Sequence, residues 1–278
     1  MFRFMFAPIE DYSDSALRSL CFNHGADLTF TEMTRVEGII RNNKPTLAKT
    51  LCLDSTPIEI QLLASNEEQL KKYISSFKPF EGFKGFNLNM SCPSFDIMKA
   101  GRGAGMVKRL TKAQNLVKII QKYNYPVSIK MRLGVNKREQ DYKVYLRLIE
   151  NVDANYFIVH AKHGMQNSDE PTQGNEIYLE CIESAKKKGV GIIANGGITT
   201  PKEVVELKKI GASGVMIARG ALKNPGIFDY LKNETGFNKP KKKIPSIREL
   251  REEYIDLANK FSSPIKYKEN LLKWMKYF

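Results

Sequence analysis

Short apolar segments alternate with segments of helical periodicity along most of this chain, and this alternation limits the possible folds more than any other feature. Strands are predicted at eight apolar runs, residues 2–8, 26–30, 58–63, 85–89, 127–131, 156–160, 191–195 and 214–218. Helices are indicated at residues 66–77, 107–123, 142–151, 177–188, 201–210 and 224–232. Eight strands alternating with helices over roughly 230 residues predict an α/β protein, a (β/α)8 TIM barrel.

An open, doubly wound α/β sheet would give a similar alternation. That fold usually carries a glycine-rich phosphate-binding sequence directly after its first strand. Here the first predicted strand continues into Pro8, Ile9 and Glu10, without a glycine. We therefore expect a closed barrel rather than an open sheet.

The composition changes after the predicted barrel. Residues 238–245 contain two prolines and the run Lys241, Lys242 and Lys243, which is typical of an exposed linker. Two more helices are predicted, at residues 246–261 and 264–278. From Lys232 onwards there are twelve Lys or Arg against six Asp or Glu, a net charge of +6. We expect a barrel domain at residues 1–236 and a small basic helical appendage at residues 237–278.

Charge and cysteine content limit the partners of the chain. The net charge of +14 favours polyanions, and nucleic acid is preferred to a membrane because no basic amphipathic helix stands out. A general lysine richness of the source proteome is the alternative explanation.

No run of about 18 apolar residues occurs, so we expect no membrane span. The four cysteines form no CxxC pair, which argues against a metal site and fits free thiols in the cytoplasm.

Polar residues follow nearly every predicted strand. They are Glu10, Gln61, Asn89, Lys130 with Arg132, His160, Asn195 and Arg219. The carboxyl ends of barrel strands carry the active site in enzymes of this fold. We therefore expect these side chains to converge at the mouth of the barrel.

Two glycine-containing turns are suited to bind a phosphate. The runs Asn195-Gly196-Gly197 and Ala218-Arg219-Gly220 follow the seventh and eighth predicted strands, where barrels build phosphate sites. Glycine lets backbone N–H groups approach the phosphate, and an arginine adds charge-assisted hydrogen bonds. Lys130 would be a buried cation, which requires an anion or an electron-rich ring. Together these features predict a phosphorylated, ring-bearing cofactor over the barrel mouth.

Cys92 is the candidate for chemistry. It lies just beyond the fourth predicted strand, before a segment that contains Gly101, Arg102, Gly103 and Gly105. A thiol on a flexible loop beside polar groups is typical of a reactive cysteine. A structural cysteine beside a turn proline is the alternative that the local sequence leaves open.

Several motifs in order resemble those of the dihydrouridine synthases, FMN-dependent barrel enzymes that reduce uridine in folded RNA. The run from Phe6 to Asp14 is similar to the opening strand and turn of that family. Asn89-Met-Ser-Cys-Pro93 with Gly101-Arg-Gly-Ala-Gly105 is similar to its signature. The pattern continues with Lys130-Met-Arg-Leu-Gly134, Asn195-Gly-Gly-Ile198 and Gly214-Val-Met-Ile-Ala-Arg-Gly-Ala-Leu222.

The resemblance implies roles for specific residues. Around FMN it places Pro8, Ile9, Glu10, Gln61, Asn89, Lys130, His160, Asn195, Gly196, Gly197, Ala218 and Arg219. Cys92 would protonate C5 of a uracil after hydride transfer from the flavin to C6, and NADPH would first reduce the flavin. The expected substrate is tRNA, and no membrane or obligate protein partner is expected. Candidate RNA contacts are Arg102, Arg132, Lys162, His163 and the run Lys241 to Lys243.

The chain departs from the pattern of the family at several positions. The family usually has His-x-Arg-Thr where this chain has His160-Ala-Lys-His163, and lysine lacks the bidentate fork of arginine. Gly197 stands where an acidic residue is common, and Ala218 replaces a glycine. The C-terminal helical region is shorter than usual, so another tRNA position or a ribosomal RNA target stays open.

Two other functions are compatible with parts of the sequence. An FMN barrel could act on a free pyrimidine, as dihydroorotate dehydrogenases do, but such a substrate needs no basic surface. A barrel that only binds RNA would not need Cys92, Lys130 and His160 together.

Overall fold

Parallel strands form the centre of the protein in the computed structural model, which describes residues 1–167, 169–172 and 174–276. Within those ranges there are nine strands, β1 (Arg3–Phe6), β2 (Thr29–Phe30), β3 (Thr34–Arg35), β4 (Ile58–Leu63), β5 (Phe83–Met90), β6 (Val127–Met131), β7 (Tyr156–His160), β8 (Gly191–Asn195) and β9 (Gly214–Ile217). Their order in the sheet is β1-β9-β8-β7-β6-β5-β4-β2, and β3 also pairs with β4.

The two ends of this sheet meet, which makes it a barrel. Met5 of β1 forms a parallel bridge with Leu28, and the Phe6 N–H donates to the Leu28 carbonyl at 2.9 Å. Counting β2 and β3 as one interrupted strand gives eight parallel strands alternating with helices. The predicted (β/α)8 barrel is therefore confirmed.

Side chains alternate between the inside of the barrel and the surrounding helices, as the period of two in a strand requires. One apolar cluster, which includes Met5, Phe30, Ile158 and Met216, fills part of the interior. The larger core lies between the strands and the helices. The polar residues of β4, β5 and β6 occupy the rest of the interior.

Helices surround the barrel. They are α1 (Ser15–Asn23), α2 (Val36–Ile40), α3 (Lys44–Ala48), α4 (Glu67–Ser76), α5 (Phe95–Lys99), α6 (Leu110–Gln121), α7 (Lys137–Asp141), α8 (Val144–Asn151), α9 (Asn175–Lys186), α10 (Pro201–Lys209), α11 (Arg219–Lys223), α12 (Ile227–Glu234), α13 (Ile247–Lys260) and α14 (Ile265–Trp274). A short 3-10 helix covers Gly103–Met106.

Element bounds differ from the predicted ones where local chemistry intervenes. The second strand is interrupted because the Thr31 hydroxyl, at 2.9 Å, accepts the Gln61 N–H. The helix predicted at 224–232 corresponds to α12 and begins only at Ile227, because Pro225 disfavours helical geometry at Asn224. α11, which ends before this proline, was not predicted. α1 was not predicted; it begins at the side chain of Asp14, which accepts the Leu17 N–H at 3.0 Å.

The glycine segment after Cys92 is packed, so its predicted flexible-loop character is wrong. It folds into α5 and the 3-10 helix, and the Ala104 N–H donates to the Cys92 carbonyl at 3.1 Å. A Cβ at Gly103 would lie 2.6 Å from that carbonyl oxygen, and one at Gly105 2.5 Å from the Met98 carbonyl oxygen. These glycines permit close backbone packing.

The C-terminal helices pack on the barrel. α13 lies against α1, and its Leu250, Tyr254 and Ala258 belong to the main core together with Leu271 of α14. The helices match the predicted ranges closely, although Tyr277 and Phe278 of the second range lie outside the described residues. The division at residue 236 stays a prediction.

The linker predicted at residues 238–245 is largely exposed, but two hydrogen bonds connect it to α12. The Asn233 side chain accepts the Lys242 N–H at 3.0 Å and donates to the Lys242 carbonyl at 2.7 Å.

In the part of the chain that the structure describes, no helix is long and apolar enough to cross a membrane. In the same ranges, no three His, Cys, Asp or Glu side chains are grouped as metal ligands.

Candidate active site

The polar residues at the strand ends converge on two adjoining cavities at the carboxyl end of the barrel. The first, about 270 Å³, is lined by Pro8, Ile9, Glu10, Gln61, Asn89, Cys92, Lys130, Arg132 and His160, among others. The second, about 310 Å³, shares Pro8, Lys130 and His160 and adds Asn195, Gly196, Gly197, Ala218 and Arg219. The structure thus brings together all twelve residues predicted around a cofactor.

The glycine-rich end of the second cavity is shaped by backbone conformation. Gly196 and Gly197 have φ values of +132° and +71°, which side chains rarely adopt. A Cβ at Gly196 would lie 2.9 Å from Cδ2 of His160, so glycine lets the imidazole lie against the chain. At Gly197 a Cβ would meet nothing closer than 3.9 Å, which leaves room for a bound group. Arg219 lies at the rim, 3.1 Å from Asp169.

Lys130 is a buried cation at the junction of the two cavities. Its ammonium donates to the Ser91 hydroxyl at 3.2 Å, and no carboxylate of the described residues lies within salt-bridge distance. Burial, with a smaller effect of the Arg132 charge, lowers the pKa of Lys130 to about 7. Such a group is stabilised by an anion or an electron-rich ring.

The neighbourhood of His160 is electropositive. Burial and the charges of Lys130, Arg132, Lys162 and Arg219 lower the pKa of His160 to about 2, so its imidazole is neutral. The Arg132 guanidinium donates to the His163 carbonyl at 2.8 Å, while its buried Nε has no hydrogen-bond partner among the residues that the structure describes. A neutral donor ring among cations suits a bound anion.

Cys92 lies at the boundary between the first cavity and a larger one. Its N–H and that of Ser91 donate to the Asn89 side-chain oxygen at 2.9 and 3.0 Å, which fixes the turn after β5. The thiol is free and half-buried. Cys92 also lines an outer cavity of about 790 Å³, formed mainly by the segment from Met33 to Lys49. A group in the outer cavity and one in the first can therefore both reach Cys92.

The outer cavity is lined by two arginines that were not predicted to contact RNA. Arg35 and Arg41 line it and are exposed. Within the described ranges, neither has an acidic partner at salt-bridge distance, whereas the nearby Lys49 pairs with Glu10. In the sequence these two arginines flank the short apolar run of α2, and that flanking is the feature that could have indicated them. No strand or helix was predicted in this segment.

Three of the residues predicted to contact RNA are paired or buried within the described ranges. Arg102 forms an ion pair with Glu37. Lys162 is only 2% exposed, and its ammonium donates to the carbonyls of Asn167 and Glu170, so its phosphate contact stays a prediction. Arg132 is buried inside the first cavity and does not face the outer surface.

The remaining predicted RNA contacts are also engaged or buried. His163 has a buried Nδ1 without a partner, and burial lowers its pKa. The run Lys241, Lys242 and Lys243 is exposed, but these lysines pair with Glu234, Asp229 and Glu249 respectively. These ion pairs hold the lysine run close to the barrel.

The sequence of this chain is similar to those of dihydrouridine synthases. The model of the dihydrouridine synthase family matches residues 5–277. A Helicobacter pylori protein named "Probable tRNA-dihydrouridine synthase" is 29% identical over 97% of this chain and 82% of its own length. A Mus musculus protein named "tRNA-dihydrouridine(16/17) synthase [NAD(P)(+)]-like" is 26% identical over 95% of this chain and 53% of its own length.

Solved structures of distant sequence share the barrel. A morphinone reductase mutant in complex with tetrahydroNAD aligns with a TM-score of 0.55 at 11% identity, over 84% of this chain and 87% of that one. The DHODH of Eimeria tenella in complex with ferulenol aligns with a TM-score of 0.53 at 12% identity, over 84% of this chain and 80% of that one. At this identity the likeness concerns the fold. Since the family model extends over nearly all of the sequence, this chain belongs to the dihydrouridine synthase family of enzymes.

Proposed function

We propose that this protein reduces uridine in folded RNA, tRNA first, to 5,6-dihydrouridine with FMN and NADPH. The observation that carries the proposal is the position of Cys92 between a cofactor-sized site and a larger open cavity. The printed names of the relatives support tRNA as the substrate class. We expect the reaction to take place in the cytoplasm, where tRNA is available.

The two inner cavities fit FMN by the chemistry of their residues. Lys130 is a buried cation without a carboxylate partner among the described residues, and Arg132 has an unpartnered buried Nε. Gln61 and Asn89 would meet the ring edge from the first cavity. The open turn at Gly196 and Gly197, with Arg219 at its rim, would hold the phosphate. When bound, FMN supplies the hydride for C6 of the base after NADPH has reduced it.

Cys92 supplies the second atom of the reduction. Hydride addition at C6 places an electron pair at C5, which forms a C–H bond with the proton of the thiol as the S–H bond breaks. The Asn89 side chain holds the Cys92 backbone and thereby fixes the place from which the thiol side chain extends. The thiolate is then reprotonated from solvent through the outer cavity.

A uridine inside a folded RNA must be unstacked before it reaches Cys92. Unstacking costs about a few kcal/mol, which phosphate contacts to a basic protein can offset. The net charge of +14 supports that approach, as do Arg35 and Arg41 on the outer cavity, which have no acidic partner among the described residues. A free pyrimidine would use neither feature.

The test is to compare Cys92→Ala with Cys52→Ala, a change at the other half-buried thiol. We expect both variants to bind FMN and to oxidise NADPH, while Cys92→Ala loses dihydrouridine formation in tRNA by about 10²-fold or more. Mass spectrometry of tRNA, ribosomal RNA and free uridine measures the product. A wild-type protein that binds no FMN, or a Cys92→Ala variant with normal product formation, would disprove the proposal. If dihydrouridine formed only in ribosomal RNA, or only from free uridine, that molecule would be the substrate instead of tRNA.

A further inference from the structure

A carboxylate lies inside the barrel, away from both cofactor cavities. Glu59 of β4 is buried, and its two oxygens accept hydrogen bonds from the Ser128 hydroxyl at 2.5 Å and the Tyr156 hydroxyl at 2.7 Å. Burial raises the pKa of Glu59 to about 7, and those two hydrogen bonds oppose the rise. A buried carboxylate is a poor choice for stability alone, because apolar residues of similar size often stabilise a core more.

A chain of hydrogen bonds connects this carboxylate to the active site. The Asn87 side-chain amide donates to the Ser128 hydroxyl at 2.7 Å, and the Gln61 amide donates to the Asn87 oxygen at 2.7 Å. The Asn89 amide then donates to the Gln61 oxygen at 2.8 Å. Every NH₂ group therefore points toward Glu59, and every amide oxygen points toward the mouth of the barrel.

The upper end of the chain is the turn that carries Cys92. The Asn89 oxygen accepts the N–H groups of Ser91 and Cys92. If the Asn89 amide were reversed, its NH₂ group would face two N–H donors, and the turn would lose both hydrogen bonds. The direction of this one amide therefore decides whether the Cys92 turn is held.

The carboxylate fixes that direction from the far end of the chain, because, like the two backbone N–H groups at the near end, it has only one hydrogen-bonding role. An amide can face either way, and a hydroxyl can donate or accept, but an ionised carboxylate only accepts. Ser128 must donate to Glu59 and is then left to accept from Asn87. The same reasoning orients Gln61 and then Asn89, and hydrogen bonds in such a chain polarise one another.

We propose that Glu59 is a positioning residue that acts through Ser128, Asn87, Gln61 and Asn89 to hold the Cys92 turn in its reactive arrangement. The inference rests on the proposed function, in which Cys92 is the proton donor. It assigns a role to three buried polar residues, Ser128, Asn87 and Gln61, and to the half-buried Asn89, which belong to three adjacent strands.

The experiment compares two variants, each of which lacks one of the two hydroxyl groups that donate a hydrogen bond to Glu59. Ser128→Ala cuts the chain to Cys92, whereas Tyr156→Phe leaves the chain intact. At pH 8 we expect Ser128→Ala and Glu59→Gln to lower dihydrouridine formation by about tenfold to a hundredfold, because a small misplacement of a reacting group has such effects. Reduction of FMN by NADPH should stay near the wild-type rate. Tyr156→Phe should keep both rates within about threefold of wild type.

Two further measurements separate positioning from general damage. The double variant of Glu59→Gln and Ser128→Ala should lose no more activity than either single one, since both cut the same chain. In the chain-cut variants, the Cys92 thiol should react with iodoacetamide about threefold or more faster than in wild type, because its turn is loosened. Peptide mass spectrometry measures that rate with Cys52 as the internal reference, and thermal melting shows which variants are folded.

The outcomes are distinct from those of the proposed function. If wild-type protein reduces no uridine in RNA, the proposed function fails, while the alkylation rates still test whether Glu59 positions Cys92. If folded Ser128→Ala and Glu59→Gln proteins match Tyr156→Phe in activity and in Cys92 alkylation, Glu59 does not position Cys92. If the losses of dihydrouridine formation in the two single variants add in the double variant, Glu59 and Ser128 do not act through one chain.

Discussion

At the scale of single residues, the site depends on groups that are unfavourable in the free protein. Lys130 is a buried cation whose pKa is lowered to about 7 by burial and by Arg132, and Arg132 has a buried Nε without a partner. Such groups destabilise a fold unless a ligand compensates them. Their concentration around one cavity is the strongest indication that an anionic, ring-bearing molecule belongs there.

The titration of Lys130 leads to a prediction about cofactor affinity. In the free protein the lysine is largely neutral above about pH 7, whereas a bound anion favours its charged form, so binding above that pH requires proton uptake. We expect the affinity for FMN to fall as the pH rises from about 7 to about 9, by up to about tenfold per pH unit. Quenching of FMN fluorescence measures it. Lys130→Gln should bind FMN more weakly with a flat pH profile, and a flat wild-type profile would contradict the role of Lys130.

The residues that line the two inner cavities could be predicted from the sequence, and the pairing of the surface cations could not. Each of the former follows an apolar run, and the strand ends of a barrel must meet. A surface cation is different, because its availability depends on which acid the fold places beside it. Arg102 is paired with Glu37, far away in sequence, whereas Arg35 is unpaired among the described residues. No periodicity carries that information.

At the scale of elements, the C-terminal helices are part of the barrel's core. α13 is fixed at its start by a capping box between Ser246 and Glu249, which the sequence displays. Its docking on α1 is reinforced by the His24 to Glu253 contact at 2.6 Å. An amphipathic pattern predicts that a helix has a buried face, but it does not identify the partner. The expected separate appendage is therefore the part of the prediction that most needs a test.

A pair of substitutions in α13 provides that test. Leu250 is fully buried in the main core, whereas Ile255 of the same helix is 39% exposed. We expect Leu250→Ala to lower the free energy of unfolding of the whole protein by about 2–5 kcal/mol. Ile255→Ala should change it by less than about 1 kcal/mol. Urea unfolding followed by circular dichroism measures both, and a barrel transition unaffected by Leu250→Ala would favour an independent domain at residues 237–278.

At the scale of the whole molecule, the net charge of +14 can act on RNA in two ways, by long-range attraction and by direct contact with phosphates. Many of the cations are engaged in ion pairs, including the run Lys241 to Lys243. Paired lysines still contribute to long-range attraction, but they are less able to bind phosphates directly. Arg35 and Arg41, on the outer cavity beside Cys92, are therefore the better candidates for direct phosphate contacts.

Salt dependence of RNA binding distinguishes the two contributions. The double variant Arg35→Gln with Arg41→Gln removes two charges beside the outer cavity, and Lys84→Gln with Lys122→Gln removes two exposed charges near the N-terminal ends of β5 and β6. Both variants have the same net charge. If the arginines bind phosphates, only the arginine variant should lower the slope of log K against log salt, by about 2. Equilibrium binding of tRNA to the FMN-loaded protein between about 50 and 200 mM salt measures the slope. Equal slopes in the two variants would mean that the outer cavity attracts RNA through net charge alone.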